Sequence, residues 1–356
     1  MRNSPSHPLQ TLVFSLLLVL MSGWLLHIGR DVLLPVFVAL IAVYVLVAAA
    51  DWLSRVPLVG RWPVWARRLL VLLGFFAAAF FLVLIMMATA EQVLAALPRY
   101  QENLGKLFAR LTHLLHLDTQ ESLQKLRAAT LDRIRLQTLL GSVLGSVSSL
   151  FGTVSLIAIY MAFLLGERAS FAHKLAVALP GSRAEHTQQI IRDINRRIGH
   201  YLATKTLVNV ILGVISWAVM WAFGVDFAVF WALIIALLNY IPYIGSFLGV
   251  IFPVLLTLAQ FGSVQTTLLV AAVLTAAQFY VGNVLEPKMI GRQVNLSPFV
   301  VLVALSVWGS LWGVAGAILA IPLTSMIAII CAAFPGTRPV AVMLAEDVDS
   351  FTPVHD

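Results

Sequence analysis

This 356-residue chain has a single cysteine and few charged side chains for its length. Its single cysteine, Cys331, excludes an intrachain disulfide framework and a metal site built from several cysteines. Only 11% of the residues are charged, against about 25% in soluble domains, whereas 60% are hydrophobic. The mean hydropathy of +0.95 and the long uncharged runs therefore predict an all-α polytopic membrane protein in contact with the lipid bilayer.

The sequence also lacks the short motifs that several enzyme classes require. It contains no P-loop, no nucleophile elbow and no zinc-protease signature. We therefore predict no enzymatic activity, no cofactor, no metal site and no ATP-driven transport by this chain alone. The net charge of +7 could suggest a nucleic-acid partner, but the arginines lie in short connections between apolar runs. Positive charge there fixes the orientation of helices in the bilayer, so we expect no nucleic-acid partner.

Five apolar runs are long enough to cross a hydrocarbon core of roughly 30 Å as helices. They cover residues 9–28, 32–50, 69–90, 139–165 and 206–223. A cleaved signal peptide is an alternative interpretation of the first run, although no small-residue cleavage site follows it.

Arginines in the short loop 51–68 indicate which side of the membrane is cytoplasmic. This loop contains four arginines and only one acid, Asp51. Loops rich in positive charge stay on the cytoplasmic side of the membrane. Counting spans then places both termini in the cytoplasm and residues 91–138 outside. The predicted regions are three transmembrane helices in 1–90, an amphipathic extramembrane region in 91–138, two helices with a basic cytoplasmic loop 166–205 in 139–223, a candidate transport core in 224–333 and a cytoplasmic tail in 334–356.

The polar stretch 91–138 repeats leucine at helical spacing. Pro98 is typical of a helix start, and Asp118 with Glu121 is typical of a capping pair that begins a second helix. The two amphipathic helices could lie on the membrane surface or pack against neighbouring subunits, so we expect a homo-oligomer.

Two apolar runs in the last third, 227–259 and 298–333, are too long for one span and too short for two. Each is interrupted by glycine, with a G-S-x-x-G-V pattern that begins at Gly245 in the first and at Gly309 in the second. We expect two broken or re-entrant helical hairpins of inverted orientation, which gives about eight membrane segments. Such paired, interrupted segments point to a transporter's solute site. Plain packing kinks are the alternative.

Three stretches of this region resemble the autoinducer-2 exporter family of bacterial inner-membrane proteins: 238–246, 283–291 and 308–322. The resemblance implies a permease with about eight membrane segments. Some members are assigned to export of the signalling molecule autoinducer-2, and others to sodium/proton exchange. The proline that usually follows the Ile-Gly step in this family is Ser246 here.

Among the acids, Glu286 is the strongest candidate for function, because a carboxylate near the membrane is costly unless it is paired or hydrated. An ion pair with Lys288 or Arg292, or a helix cap, is the structural alternative. Asp226 is expected to be an N-cap residue. The predicted pathway residues are Asn239, Pro242, Tyr243, Gly245, Ser246, Gln278, Asn283, Glu286, Gly309, Ser310 and Gly313.

The sequence thus predicts a permease or secondary transporter for a small polar solute, with autoinducer-2 as the candidate. A sodium or other cation/proton antiporter is the first alternative, with a proton or sodium as coupling ion. No acid lies well inside a clear apolar run, which counts modestly against ion exchange. A membrane scaffold that binds partners through 91–138 is the second alternative.

Overall fold

A computed structural model of the chain describes residues 8–57, 59–114, 152–167, 181–291 and 294–348, with positions 170, 174, 177 and 178. These residues form helices and their connections, and no strand occurs among them. The helices are α1 (Pro8–Ile28), α2 (Arg30–Leu53), α3 (Val64–Leu114), α4 (Gly152–Glu167), α5 (Gly181–Ala222), α6 (Ala228–Leu238), α7 (Ile244–Phe261), α8 (Val264–Tyr280), a π-helix (Val281–Leu285), α9 (Glu286–Ile290), α10 (Pro298–Ala333) and α11 (Arg338–Leu344).

In this described part, six helices are long and apolar enough to cross a membrane. They are α2, α3, α5, α7, α8 with its continuation to Ile290, and α10. The predicted all-α polytopic membrane fold is confirmed. The predicted run 9–28 forms α1, and the described end of the run 139–165 forms α4.

The polar stretch after the third span differs from the prediction. Pro98 does not open a new helix but lies inside α3, which continues unbroken to Leu114. Proline costs a helix one hydrogen bond and a steric clash. The contacts of α3 with α6 and α7 and the burial of Tyr100, which is 6% exposed, offset that cost. The capping pair Asp118 and Glu121 lies outside the described residues.

The predicted basic loop 166–205 is also more ordered than expected, because its second half is the beginning of α5. One helix therefore carries the polar residues after Gly181 and the apolar run up to Ala222.

Asp226 was expected to cap the helix that follows it, and this prediction is wrong. The residue at the N-cap of α6 is Phe227, with φ 58° and no side-chain cap. The Asp226 carboxylate instead accepts a hydrogen bond from the Tyr100 hydroxyl (2.7 Å) and pairs with Arg99, both on α3. The Asp226 carboxylate could have accepted hydrogen bonds from backbone N–H groups at the start of α6. It binds Arg99 and Tyr100 instead, because a charged donor forms a stronger hydrogen bond with a carboxylate.

The first break in the last third is a tight helical hairpin, called hairpin 1 (Ala228–Phe261). Its arms α6 and α7 pack together, and residues 239–243 form the turn. Tyr243 has φ 62°, a conformation that side chains rarely adopt. A Cβ atom on Gly245 would lie 1.9 Å from the Leu238 carbonyl oxygen, so only glycine fits there.

The second break, hairpin 2 (Pro298–Ala333), also folds back on itself. The backbone leaves helical geometry at Gly313, with φ 63° and ψ −143°. The indole N–H of Trp308 then donates to Thr324 Oγ1 at 3.1 Å, although on a straight helix residues this far apart would be separated by about 24 Å. The chain thus reverses at Gly313, within the G-S-x-x-G-V pattern that begins at Gly309.

The close-approach glycine of hairpin 2 is Gly316 and not Gly309. A Cβ atom on Gly316 would lie 1.9 Å from the Trp308 carbonyl oxygen, whereas nothing lies within 4 Å of the corresponding position on Gly309. The shared sequence pattern therefore aligns Gly245 with the wrong glycine. The structural counterpart of Gly245 is Gly316.

The chain divides into two compact units. One, called the hairpin-1 unit, covers Leu46–Ser155 and Tyr201–Arg292. The other, called the hairpin-2 unit, covers Met1–Val45, Leu156–His200 and Gln293–Asp356. The core of the hairpin-1 unit is built from α5, α6 and α8, with Leu212, Ile235 and Val270 nearly or fully buried. This core holds in place the elements that carry the candidate site.

Candidate functional site

The hairpin-1 unit contains an open cavity of about 870 Å³ bounded mainly by α7 and α8. Seven of the predicted pathway residues line it: Asn239, Pro242, Tyr243, Ser246, Gln278, Asn283 and Glu286. Gly245 lies at the start of α7 and supports the turn through its contact with the Leu238 carbonyl. The predicted residues Gly309, Ser310 and Gly313 belong to the hairpin-2 unit and do not line this cavity.

A network of side-chain amides joins three helical elements at one side of the cavity. The Gln278 amide donates from Nε2 to Asn239 Oδ1 and to Ser246 Oγ, both at 2.9 Å. Asn239 in turn donates from Nδ2 to Asn209 Oδ1 on α5 at 2.8 Å. Gln278, Asn239 and Asn209 are each at most 8% exposed. Buried amides of this kind are stable only when they are hydrogen-bonded, so the network fixes the turn of hairpin 1 against α5 and α8.

An ion pair lies next to this network. Lys205 Nζ on α5 donates to Glu286 Oε1 at 2.5 Å. The Lys205 side chain is only 4% exposed, whereas the Glu286 side chain is 25% exposed. Of the two expected partners, Lys288 is exposed and does not pair with Glu286, and Arg292 lies outside the described residues. The carboxylate is thus held by a lysine 81 residues away in the sequence.

The π-helix explains how Gln278 and Glu286 reach the same cavity. Gln278, Gly282 and Glu286 follow one another at steps of four residues, and all three line the cavity. On a regular α-helix, residues eight apart point about 80° away from each other. The N–H of Glu286 donates to the carbonyl of Val281, five residues back, and this wider turn advances less per residue. Glu286 therefore returns to the face that carries Gln278.

Sequence reasoning missed the contribution of α5. Tyr201, Lys205, Asn209 and Ser216 are all buried, and they lie on one face of that helix because their spacings are close to whole turns. A lysine followed four residues later by an asparagine, at the entry to an apolar run, was the available signal. Lys205 was counted instead as part of the basic stretch that sets orientation.

Much of the remaining lining is apolar and aromatic. Val250, Ile251 and Val254 on α7 and Ala271 on α8 contribute to it. The rings of Tyr243, Phe247 and Phe279 also line the cavity and are each more than 60% exposed. A lining that combines polar groups with aromatic faces can bind a small molecule that has both hydroxyl groups and an apolar part.

Asn283 makes a local contact rather than joining the network. Its Nδ2 donates to the carbonyl oxygen of Phe279 at 3.0 Å, and the residue is exposed. Among the described residues, no group of three histidine, cysteine or acidic side chains is placed to hold a metal ion. The described side chains at the cavity can form hydrogen bonds and pair charges.

Comparison with known proteins identifies the family. The model of the AI-2E family transporter matches residues 13–336, which is nearly the whole chain. The chain belongs to the AI-2E transporter family. It is a multi-pass membrane transport protein by this membership and by its six apolar helices.

Two relatives show the range of names within the AI-2E family. The Escherichia coli K12 protein named "Putative transport protein YhhT" is 28% identical over 333 residues, which cover 92% of this chain and 91% of the relative. The protein named "AI-2 transport protein TqsA", also from Escherichia coli K12, is 28% identical over 257 residues, which cover 72% of this chain and 74% of the relative.

The amide network provides a first test of the site in this AI-2E transporter. Gln278→Leu should destabilise the protein by roughly 1–3 kcal/mol, because Asn239 Oδ1 and Ser246 Oγ lose their donor while remaining largely buried. Thermal unfolding in detergent would measure the loss. Ser246→Ala removes only one acceptor and should cost less. Equal losses for the two variants would show that Gln278 does not hold the network together.

Proposed function

We propose that this AI-2E transporter carries a small polar solute by secondary transport, and that the solute binds in the cavity of the hairpin-1 unit. The observation that carries the proposal is the cavity itself, whose lining combines a buried amide network and an ion pair with aromatic and aliphatic side chains. Buried polar groups in a membrane protein are costly, and a solute pathway is the usual reason for them. Family membership supports transport, and the lining supports a solute with hydroxyl groups.

Autoinducer-2 is the first solute to test. The support is the name of TqsA, which is an AI-2 transport protein and a relative over 72% of this chain. Other relatives, such as YhhT, are named only as transport proteins without a solute. Gly309, Ser310 and Gly313 in hairpin 2 are proposed as further pathway residues, on the basis of the sequence pattern alone.

Cation/proton exchange is the second candidate. Glu286 favours it, because a partly exposed carboxylate beside a cavity is the kind of group that binds a coupling ion. The Lys205 ammonium already neutralises this carboxylate, which favours the solute permease. The scaffold hypothesis has less support, because the chain belongs to a family of transporters. Half of its predicted binding region, 115–138, lies outside the described residues.

We further propose that the protein resides in the bacterial inner membrane with both termini in the cytoplasm, that the two hairpins are re-entrant, and that the protein is a homo-oligomer. The basic loops support the orientation, and the broken helices α6–α7 and α10 support re-entry. The polar extension of α3 beyond residue 90 supports assembly.

Proteoliposomes test the transport function directly. Vesicles loaded with autoinducer-2 should lose it down its own gradient, and a pH-sensitive dye should show no response to an imposed sodium gradient. A sodium-dependent pH change without solute flux would favour the antiporter. If neither assay gave a signal, autoinducer-2 would be excluded as the solute and the scaffold hypothesis would gain support.

A bulky side chain placed in the cavity should block this flux. Thr275 lines the cavity from α8 and is exposed, so Thr275→Trp fills the space without disturbing the core. Ala272→Trp is the matched control, because Ala272 is exposed on the same helix and does not line the cavity. We expect flux to fall by roughly tenfold or more in the first variant and by little in the second. Equal flux in both would place the pathway elsewhere.

A further inference from the structure

Two side chains of opposite charge lie in contact at the cavity of the hairpin-1 unit. Among the described residues that line it, the only lysine, arginine or acidic side chains are Lys205 and Glu286. Their charges cancel at a separation of 2.5 Å between Nζ and Oε1. The described lining therefore has no net charge. The Glu286 carboxylate is neutralised by Lys205 and needs no ion from solution.

The two partners are not equally accessible. In the described part of the chain, Glu286 is the only hydrogen-bond and ion-pair partner of Lys205, whose side chain is 4% exposed. Glu286 is 25% exposed and lies at the end of the π-helix. The ammonium thus approaches the carboxylate from the protein side, from α5, while the carboxylate still borders the cavity.

From this geometry we propose that the Lys205 ammonium takes the place of a coupling cation beside Glu286, so that solute flux neither requires nor moves an inorganic cation or a proton. The inference rests on the proposed function and specifies that transport is not coupled to a cation gradient. A carboxylate at the base of a membrane cavity ordinarily binds a sodium ion or a proton when it has no other partner. Here a tethered cation fills that position permanently.

The inference predicts a gain of cation binding when the ammonium is removed. Lys205→Ala leaves the Glu286 carboxylate without its partner and opens space beside it. Among the described residues, Tyr201 is a further titratable group close to that carboxylate; it lies one turn earlier on α5, is buried and supplies no positive charge. Lys288 is exposed and is too poorly placed to pair with Glu286 in the present geometry.

A binding measurement tests this without any solute. The thermal midpoint of the purified protein in detergent is followed while NaCl or LiCl replaces choline chloride at constant ionic strength. We expect a saturable rise in Tm for Lys205→Ala, no such rise for the wild type, and loss of the rise in Lys205→Ala/Glu286→Gln. Lys288→Ala is the matched control and should behave as the wild type. A folded Lys205→Ala protein whose Tm responds to neither cation would overturn the cation-replacement idea, unless its flux becomes driven by a proton gradient.

A flux measurement then tests the consequence for transport. In the wild type, autoinducer-2 flux should be the same in sodium and choline, with or without a pH gradient, and at zero or imposed membrane potential. In Lys205→Ala, flux should depend on sodium or on the pH gradient by roughly tenfold, within the usual range of coupling between two ligands.

The wild-type result is informative even if Lys205→Ala fails to fold. Wild-type flux that requires sodium or a proton gradient would contradict the inference while leaving the transport function intact. Absence of any solute flux would instead count against the proposed function. In that case the Tm measurement on a folded Lys205→Ala protein would still test whether Lys205 occupies a cation position.

Discussion

Replacing Gly245 with alanine is expected to destabilise the protein by about 3 kcal/mol or more, because the new methyl group meets backbone and cannot be avoided by a side-chain rotation. The Cβ position lies 1.9 Å from the Leu238 carbonyl oxygen and 2.9 Å from the Cα of Asn239. Accommodating alanine requires α7 to move away from the turn. This movement would separate Ser246 from Gln278 and so disturb the candidate site as well.

Hairpin 2 offers a matched pair of variants for the same test. Gly316→Ala meets the Trp308 carbonyl oxygen at 1.9 Å and should be as damaging as Gly245→Ala. Gly309→Ala meets nothing within 4 Å and lies in a helix, so its thermal stability should be equal or slightly higher. Thermal unfolding of the three variants in detergent measures the difference. If Gly309→Ala were the more damaging variant, the glycine pairing inferred from the structure would be wrong.

The second large effect is an asymmetry between the two halves of the ion pair. Glu286→Ala should cost about 3–5 kcal/mol, because it leaves an ammonium that is only 4% exposed without a partner. Lys205→Met should cost less, roughly 1–2 kcal/mol, because the Glu286 carboxylate is 25% exposed and can still be hydrated. The partner that is more deeply buried thus determines which substitution is worse.

A double-mutant cycle measures this coupling. Lys205→Met/Glu286→Ala contains no unpaired charge and should be more stable than Glu286→Ala alone. Denaturation midpoints of the wild type, the two single variants and the double variant give the interaction energy. Additive losses would show that the two side chains do not interact in the folded protein, and would also remove the basis for a tethered cation.

Much of this architecture can be predicted from local sequence. Pro242 and Gly245 within an apolar run too long for one span predict a turn, and the structure has one at residues 239–243. The polar residues Asn239, Gln278 and Glu286 stand out because their surroundings are apolar, and all three line one cavity. In these cases the physical signal lies within a few residues of the feature that it predicts.

The remaining features depend on contacts between distant residues. Lys205 was missed because its partner Glu286 is 81 residues away and belongs to a different helix. Pro98 was read as a helix start because the cost of proline is local, whereas the contacts that keep α3 continuous come from hairpin 1. The sequence pattern that matches Gly245 with Gly309 is misleading for a related reason. Whether a glycine lies against the backbone of the opposite arm depends on the path of the chain after the turn.

The π-helix at Val281–Leu285 also has a consequence for how relatives should be compared by alignment. A π turn holds one residue more than an α turn, so loss of one codon in this segment would return a regular α-helix. Gln278 and the glutamate would then be seven residues apart and still within about 20° of the same face. Homologous genes can therefore differ in length by one codon here and keep both polar side chains at the cavity. An alignment that forbids a gap in this segment would shift the glutamate out of register in such relatives.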